Sequence, residues 1–133
     1  MLLLFVASVS FAQRTQKELA TILDRQSKCW NNGDLLGFMD DYWKSDSLQF
    51  VTRNGVLNGW QTMLDYYRKA YPTVEKMGNL YFDLLSVNEL DATHAYLVGR
   101  WRVQEKDSKK EGYFSLLFQK INKRWLIVVD HTS

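Results

Sequence analysis

The second half of the chain constrains the fold more than any other part of the sequence. Four long β-prone segments follow one another there, at residues 80–90, 92–105, 112–121 and 124–132. The breaks between them are short and polar, and the last one is the pair Asn122-Lys123. Long strands joined by such short connections predict an antiparallel meander.

Two helices are predicted at the start of the chain. Thr15 and Glu18 have the spacing of a capping box, and apolar residues continue from there at helical spacing as far as Trp30. Gly33 suits the left-handed end of this helix. Asp34 can then cap a second, shorter helix that runs to about residue 44. The two helices are therefore expected to form a tight pair with almost no loop between them.

A hairpin and a third helix complete the first half. The alternating segment 48–52 predicts a strand, and Asn54-Gly55 is a typical two-residue hairpin turn. Apolar residues then recur at intervals of three and four from Trp60, and Pro72 ends that helix. Helices followed by a meander predict an α+β fold. We expect three N-terminal helices packed on a curved, mainly antiparallel sheet of about six strands, with the shape of a cone.

The composition fits one compact domain. The chain has 133 residues, of which 46% are hydrophobic and 14% aromatic, which is enough for one core and too little for two ordinary domains. The formal net charge is +2, so nothing points to a nucleic acid or another polyanionic partner. The single cysteine, Cys29, excludes a disulfide scaffold and a cysteine-based zinc cluster.

The first twelve residues predict a leader. They are uncharged and largely apolar, and they are too few to span a bilayer. Ser10 and Ala12 occupy the small-residue positions before a cleavage at Gln13. We therefore expect a signal peptide at 1–12, a single domain at 13–133, and a secreted or periplasmic bacterial protein without membrane contact after cleavage. A buried N-terminal strand or helix is the alternative.

The last strand carries the best catalytic candidates. Alternation places Trp125 and His131 on one face and Asp130 on the other, so Asp130 and His131 cannot both enter one pocket. His131 can act as a general acid or base near neutral pH, with Asp40 or Asp41 expected to orient it. Asp130 is the second candidate for the base. A structural histidine and a solvated carboxylate are the alternatives.

Aromatic residues are the candidates for a ligand pocket. They would form an apolar wall of the usual kind, and their phenols could stabilise an enolate by hydrogen bonding. The predicted lining residues are Trp30, Phe50, Trp60, Tyr67, Trp101 and Tyr113. Core packing is the alternative for each of them. The two histidines lie on different strands without a partner at ligand spacing, so neither a metal site nor a cofactor is predicted.

Several short segments resemble a known superfamily. They are Trp30 in the first helix, Gly59-Trp60, Gly99-Arg100-Trp101 and the ending Trp-Leu-Ile-Val-Val-Asp-His-Thr-Ser at 125–133. Together with the order of elements, they resemble the nuclear transport factor 2-like superfamily over essentially all of residues 15–133. The closest branch looks like the SnoaL-like, ketosteroid-isomerase-like domains of unknown function. The ending also looks like that of the association domain of calmodulin-dependent kinase II.

The resemblance implies a cone-shaped, cystatin-like α+β fold, a cavity between helices and sheet, and a homodimer formed through the outer sheet face. In catalytic relatives an Asp or His base in the cavity removes a proton next to a carbonyl, whereas other members bind a ligand or have a filled cavity. Only His131 and Ser133 lie in a motif that carries over. Three hypotheses remain: a domain that binds a small apolar or aromatic ligand, an isomerase or cyclase that uses His131 or Asp130 as base, and a non-catalytic oligomerisation module.

Overall fold

The computed structural model describes residues 9–133, which form four helices and six strands. The helices are α1 (Phe11–Asn31), α2 (Leu35–Met39), α3 (Trp60–Ala70) and α4 (Val74–Met77). The strands are β1 (Gln49–Thr52), β2 (Gly55–Asn58), β3 (Asn79–Asp91), β4 (His94–Gln104), β5 (Lys109–Ile121) and β6 (Arg124–Thr132). The predicted α+β class is confirmed. The prediction of three helices is one too few. The additional helix is α4, a single turn that Thr73 caps by accepting a hydrogen bond from the Lys76 amide.

All six strands belong to one sheet in the order β2-β1-β6-β5-β4-β3. The four long strands pair antiparallel, as the meander predicts, whereas β1 pairs with β6 in parallel. The β1–β2 turn lies one residue earlier than expected, because Thr52 pairs with Gly55 and leaves Arg53 and Asn54 in the turn. The helices cover one face of the sheet, and the core lies between the two layers.

Helix α1 begins earlier than the sequence predicts. The Ser10 hydroxyl accepts from the Gln13 amide, and the Gln13 side chain accepts in return from the Ser10 amide. The capping box predicted at Thr15 and Glu18 is therefore wrong. Thr15 is buried within the helix, and Glu18 accepts a hydrogen bond from the Trp125 indole at 2.8 Å.

Most of the predicted leader lies outside the described residues, at 1–8. Its last two residues, 11 and 12, belong to the first turn of α1. Within the part of the chain that the structure describes, no helix is both long enough and apolar enough to cross a membrane.

Helix α2 is shorter than predicted. Asp34 caps it, as expected, but the helix already ends at Met39. The chain then turns to β6, where the Trp43 amide donates to the Ile127 carbonyl at 2.9 Å. Because these backbone groups pair with a strand, they cannot continue the helix. The same turn places the side chain of Tyr42 in the core, where it is 3% exposed.

Side-chain hydrogen bonds fasten the end of α1 to the elements beneath it. The Trp30 indole donates to the Met77 carbonyl at 2.8 Å. The Asn31 side chain pairs with the backbone of Leu80, accepting at 2.6 Å and donating at 3.1 Å. Gly33 follows with a φ of +73° and provides the predicted left-handed end. These contacts fix one wall of the space between α1 and the sheet.

Candidate functional site

A β-bulge in β6 determines which of its side chains enter the space between helices and sheet. The pairing of β6 with β5 shifts by one residue between Ile127 and Val129, so Val128 is an extra residue. An extra residue reverses the alternation of a strand. Trp125 is therefore buried before the bulge and Asp130 after it. The regular alternation that we assumed for the whole of β6 is wrong.

The inward-facing side chains line a cavity of about 370 Å³. Residues of α1 and α3 form one wall, the inner faces of β3–β6 form the other, and the β1–β2 turn lies at the rim. This volume is near the lower end of the range, about 300–1,000 Å³, that small-molecule sites occupy. The cavity is therefore the candidate site.

Aromatic rings form much of the wall. Trp30 meets Phe38, Tyr67 and Tyr71 edge to face, with centroid distances of 5.1, 5.7 and 4.9 Å. Phe50 stacks on Tyr67 at 5.6 Å. Contacts of this geometry stabilise aromatic clusters beyond the area they bury. The rings therefore hold one another in place and leave a preformed apolar surface for a ligand.

Asp130 is the buried carboxyl group of this cavity, and it is only 3% exposed. The Tyr42 hydroxyl donates to its Oδ2 at 2.7 Å, and the Thr132 hydroxyl donates to its Oδ1 at 2.6 Å. Among the described residues, no arginine or lysine forms an ion pair with it. Within residues 9–133 the carboxyl is thus held in place by two neutral donors and forms no ion pair with a lysine or an arginine.

Burial raises the pKa of Asp130 to about 6, although the hydrogen bonds from Thr132 and Tyr42 work against the shift. Burial also raises the pKa of Tyr42 and of Tyr67 well above the ordinary range, and the charge of Asp130 adds to both shifts. At neutral pH the cavity therefore holds a carboxylate beside phenols that keep their protons. Such a carboxylate can accept a ligand's hydrogen bond, and near pH 6 it can take up or release a proton.

Gln26 is a second polar group in the wall, and it is 1% exposed. Its amide nitrogen donates to the Phe38 carbonyl at 3.3 Å. Its carbonyl oxygen accepts no hydrogen bond from residues 9–133, and the residue lines the cavity. The sequence contains a signal for this residue, since a glutamine occupies a core position of the α1 apolar stripe between Leu23 and Trp30.

The structure brings five of the predicted site residues together. Trp30, Phe50, Tyr67, Trp101 and Asp130 all line the cavity. They come from two helices and three strands, so the cavity wall is assembled by tertiary packing. The cavity is open, which differs from the filled interior considered for an oligomerisation module.

Three predicted site residues lie elsewhere. His131 is exposed on the outer face of the sheet, because the bulge turns Asp130 inward instead, so the prediction of His131 as the cavity base is wrong. Trp60 lies outside the cavity and donates to a backbone carbonyl of α2 at 2.9 Å. Tyr113 is 58% exposed, because its neighbour Phe114 is the residue of β5 that points inward.

Asp40 and Asp41 do not orient His131 as predicted, and they bind arginines instead. Asp41 is fully buried and accepts hydrogen bonds from Arg25 and, at 3.3 Å, from Arg124. Asp40 accepts from Arg124 at 2.9 Å. These ion pairs join α1, the segment after α2 and the start of β6.

The polar groups that complete the cavity were missed from the sequence. Nothing local links Tyr42 and Thr132 to Asp130, and the position of Gln26 in the apolar stripe of α1 does not indicate that it faces a cavity. Within residues 9–133 there is no group of three or more His, Cys, Asp or Glu side chains that could hold a metal ion.

Comparisons with known proteins support the fold. No protein-family model and no curated protein matches the sequence. The fold is similar to that of an NTF-2 like protein of unknown function from Shewanella oneidensis MR-1, with a TM-score of 0.86 and 34% identity over 90% of this chain and 98% of that one.

Two more distant structures show the fold alone. A domain of unknown function with a cystatin-like fold from Nostoc punctiforme has a TM-score of 0.73 and 18% identity, over 94% of this chain and 78% of that one. A putative calcium/calmodulin dependent protein kinase II association domain from Xanthomonas campestris has a TM-score of 0.67 and 18% identity, over 88% of this chain and 85% of that one.

Proposed function

The chain belongs to the nuclear transport factor 2-like superfamily, and we propose that it binds a small, largely apolar ring compound in its cavity, with Asp130 as the polar contact. One observation carries this proposal: a buried carboxyl group that forms no ion pair with a lysine or an arginine of the described residues lines an open aromatic cavity. An aromatic wall with few polar groups is typical of small-molecule sites.

The polar chemistry of Asp130 supports a ligand that carries a hydrogen-bond donor. A buried carboxylate is costly unless it is compensated. Tyr42 and Thr132 supply one donor to each oxygen, and each carboxylate oxygen can accept a further hydrogen bond. A hydroxyl or N–H group of the ligand would provide it, while the surrounding rings contact its apolar body.

The size of the cavity supports a ligand of roughly two rings. A cavity of about 150 Å³ lined by apolar side chains accommodates one benzene ring. The cavity of this chain has about 370 Å³. A bicyclic aromatic compound with one hydroxyl group therefore matches both its volume and its polar contact.

A matched pair of probes tests this proposal. 2-Naphthol carries a hydroxyl donor, and 2-methoxynaphthalene has a similar shape without one. Titration calorimetry should show that 2-naphthol binds about tenfold to a hundredfold more tightly, as one additional hydrogen bond to a charged group would give. Asp130→Leu should remove this preference, whereas His131→Ala, on the outer face, should leave it unchanged.

Two results would contradict the proposal. One is the absence of binding of either probe to the wild-type chain. The other is an Asp130→Leu variant, folded by circular dichroism, that retains the preference for 2-naphthol. Asp130→Asn provides a second test, because it keeps the shape of the side chain, removes its charge and replaces one acceptor oxygen by an amide donor, so it should retain only part of the preference.

Proton transfer is the second candidate function, and the pKa of Asp130 favours it. A carboxyl group with a pKa of about 6 is suited to remove a proton from a carbon next to a carbonyl at neutral pH. The exchange of the C1 protons of 2-tetralone in D₂O, followed by NMR, tests this function. The wild-type chain should accelerate the exchange and Asp130→Asn should not. An equal rate for both chains would assign the site to binding alone.

We further propose that the outer face of the sheet forms a homodimer. Tyr81, Tyr96 and Tyr113 expose 48%, 39% and 58% of their surface, while Arg100 and Glu111 satisfy each other at 2.6 Å. Aromatic residues and arginine are enriched in protein interfaces. Light scattering should give the mass of two chains, and Tyr96→Asp should reduce it to one. A monomeric wild-type chain would contradict this interface.

A further inference from the structure

Gln26 holds its side-chain amide in one defined orientation. Its nitrogen donates to the Phe38 carbonyl at 3.3 Å, and a backbone carbonyl can only accept. The hydrogen bond therefore identifies which end of the amide points away from α2. The other end, Oε1, accepts no hydrogen bond from the described residues, and the residue lines the cavity.

This arrangement is unusual for a residue in a helix core. Gln26 lies between Leu23 and Trp30 on the buried stripe of α1, where an apolar side chain would pack without leaving a polar atom unpaired. Among the described residues, the fully buried side-chain atom without a partner is Asp41 Oδ2, so Gln26 Oε1 keeps some accessible surface. A ligand donor that enters the cavity can reach it, in the same way as it can reach Asp130.

The two acceptors lie on different walls of the cavity. Gln26 belongs to α1 and is bonded to the backbone of Phe38, whereas Asp130 belongs to β6 and is bonded to the hydroxyl of Tyr42. The ring centroids of Phe38 and Tyr42, the residues that hold these two acceptors, lie 5.8 Å apart. Because different residues on different layers of the fold hold the two acceptors, two ligand donors can address them separately.

We propose that Gln26 is a specificity-determining contact, and that the ligand is a ring compound with two separated hydrogen-bond donors, one for Asp130 and one for Gln26 Oε1. This inference rests on the proposed binding function and names the ligand class more narrowly. Monohydroxylated and non-hydroxylated ring compounds then bind less tightly than dihydroxylated ones of the same size.

The isomeric naphthalenediols and 2-naphthol provide the test. In the wild-type chain at least one diol isomer should bind about fivefold more tightly than 2-naphthol, the effect of one additional neutral hydrogen bond. Gln26→Met should abolish this gain, because methionine has a similar length and no strong acceptor. In the same variant the best diol should therefore lose about fivefold more affinity than 2-naphthol does.

The two affinities together separate a ligand contact from a structural role. If Gln26→Met weakens 2-naphthol and the best diol equally, the glutamine only supports the cavity wall and the inference is wrong. If no diol binds more tightly than 2-naphthol, while the affinity for 2-naphthol still depends on Asp130, the inference is wrong and the proposed binding function stands. If no probe binds the wild-type chain, both fail together.

Discussion

The hydroxyl of Tyr42 donates to Asp130 Oδ2 at 2.7 Å, although 88 positions separate the two residues in the sequence. Both side chains are 3% exposed. Tyr42 reaches this position because α2 ends early and the chain bridges to Ile127, and Asp130 reaches it because β6 is bulged. The most perturbed carboxyl group of the cavity is therefore held by two local irregularities of the fold.

Removing the Tyr42 hydroxyl should raise the pKa of Asp130 further. The hydrogen bond from Tyr42 stabilises the charged form and so lowers the pKa, against the larger effect of burial. In Tyr42→Phe the carboxyl should titrate above the wild-type value of about 6, as measured by ¹³C NMR. Tyr66→Phe, which removes a hydroxyl that makes no hydrogen bond to Asp130, is the control. An unchanged or lower pKa in Tyr42→Phe would show that the bond is absent in solution.

Asp130→Asn should change how stability depends on pH. The pKa of Asp130 is about 6 in the folded chain and 3.8 ordinarily, so between these values the folded chain binds a proton that the unfolded chain does not. The contribution of Asp130 to the unfolding free energy therefore increases as the pH falls, and it is smallest above pH 6. Relative to wild type, the variant should gain about 2 kcal/mol in unfolding free energy from pH 4.5 to 7.5. Urea unfolding at several pH values measures this, and a pH-independent difference would contradict it.

Gly99→Ala should destabilise the sheet. A Cβ at this position would lie 2.7 Å from Cε1 of Phe114 and 3.0 Å from the carbonyl oxygen of Asp83. The Asp83 carbonyl belongs to the backbone of β3, which is paired with β4, so it cannot move aside as the edge of a ring beside the cavity could. We expect a loss of about 1–3 kcal/mol in unfolding free energy, as for other overpacked cores. Ser115→Ala, on the outer face of β5, is the control and should change the unfolding free energy by less than about 0.5 kcal/mol. Equal losses in the two variants would argue against the close approach at Gly99.

When either Arg25 or Arg124 is removed, the other should still compensate the buried charge of Asp41. Both bind Asp41 Oδ1, which is buried. Arg25→Met or Arg124→Met alone leaves Asp41 with one positive partner, whereas the double variant leaves a buried charge without any and should lose about 3–5 kcal/mol. Thermal or urea unfolding of the four chains in a double-mutant cycle should therefore show a combined loss larger than the sum of the single ones.

The exposed pair of Lys28 and Asp24 is the control for that cycle. Its two atoms lie 2.7 Å apart, but both side chains are more than half exposed. Lys28→Met should cost less than about 1 kcal/mol, because solvent screens surface ion pairs. If the losses in unfolding free energy of the two single variants simply add up in the double variant, Arg25 and Arg124 do not compensate the same buried charge.

Much of the fold follows from local patterns in the sequence. The meander of β3–β6 and the helix from Trp60 lie close to their predicted bounds, because alternation and helical spacing act over a few neighbouring residues. Asp34 and Gly33 cap the helices as expected, since capping depends on one side chain and one backbone angle. The predictions failed where a tertiary contact replaced a local one, as for Glu18, which binds Trp125.

The amino-acid sequence by itself determined the α+β class, the order of the long strands and most of the aromatic wall, because each depends on periodicity within one element. Only the tertiary structure decided that Asp130, and not His131, enters the cavity. One extra residue in β6 reverses which side chains point inward, and neither the alternation nor the composition of the strand marks where it occurs. The contacts of Asp130 with Tyr42 and the orientation of Gln26 toward the cavity arise in the same way, since they join elements that meet only when the chain has folded.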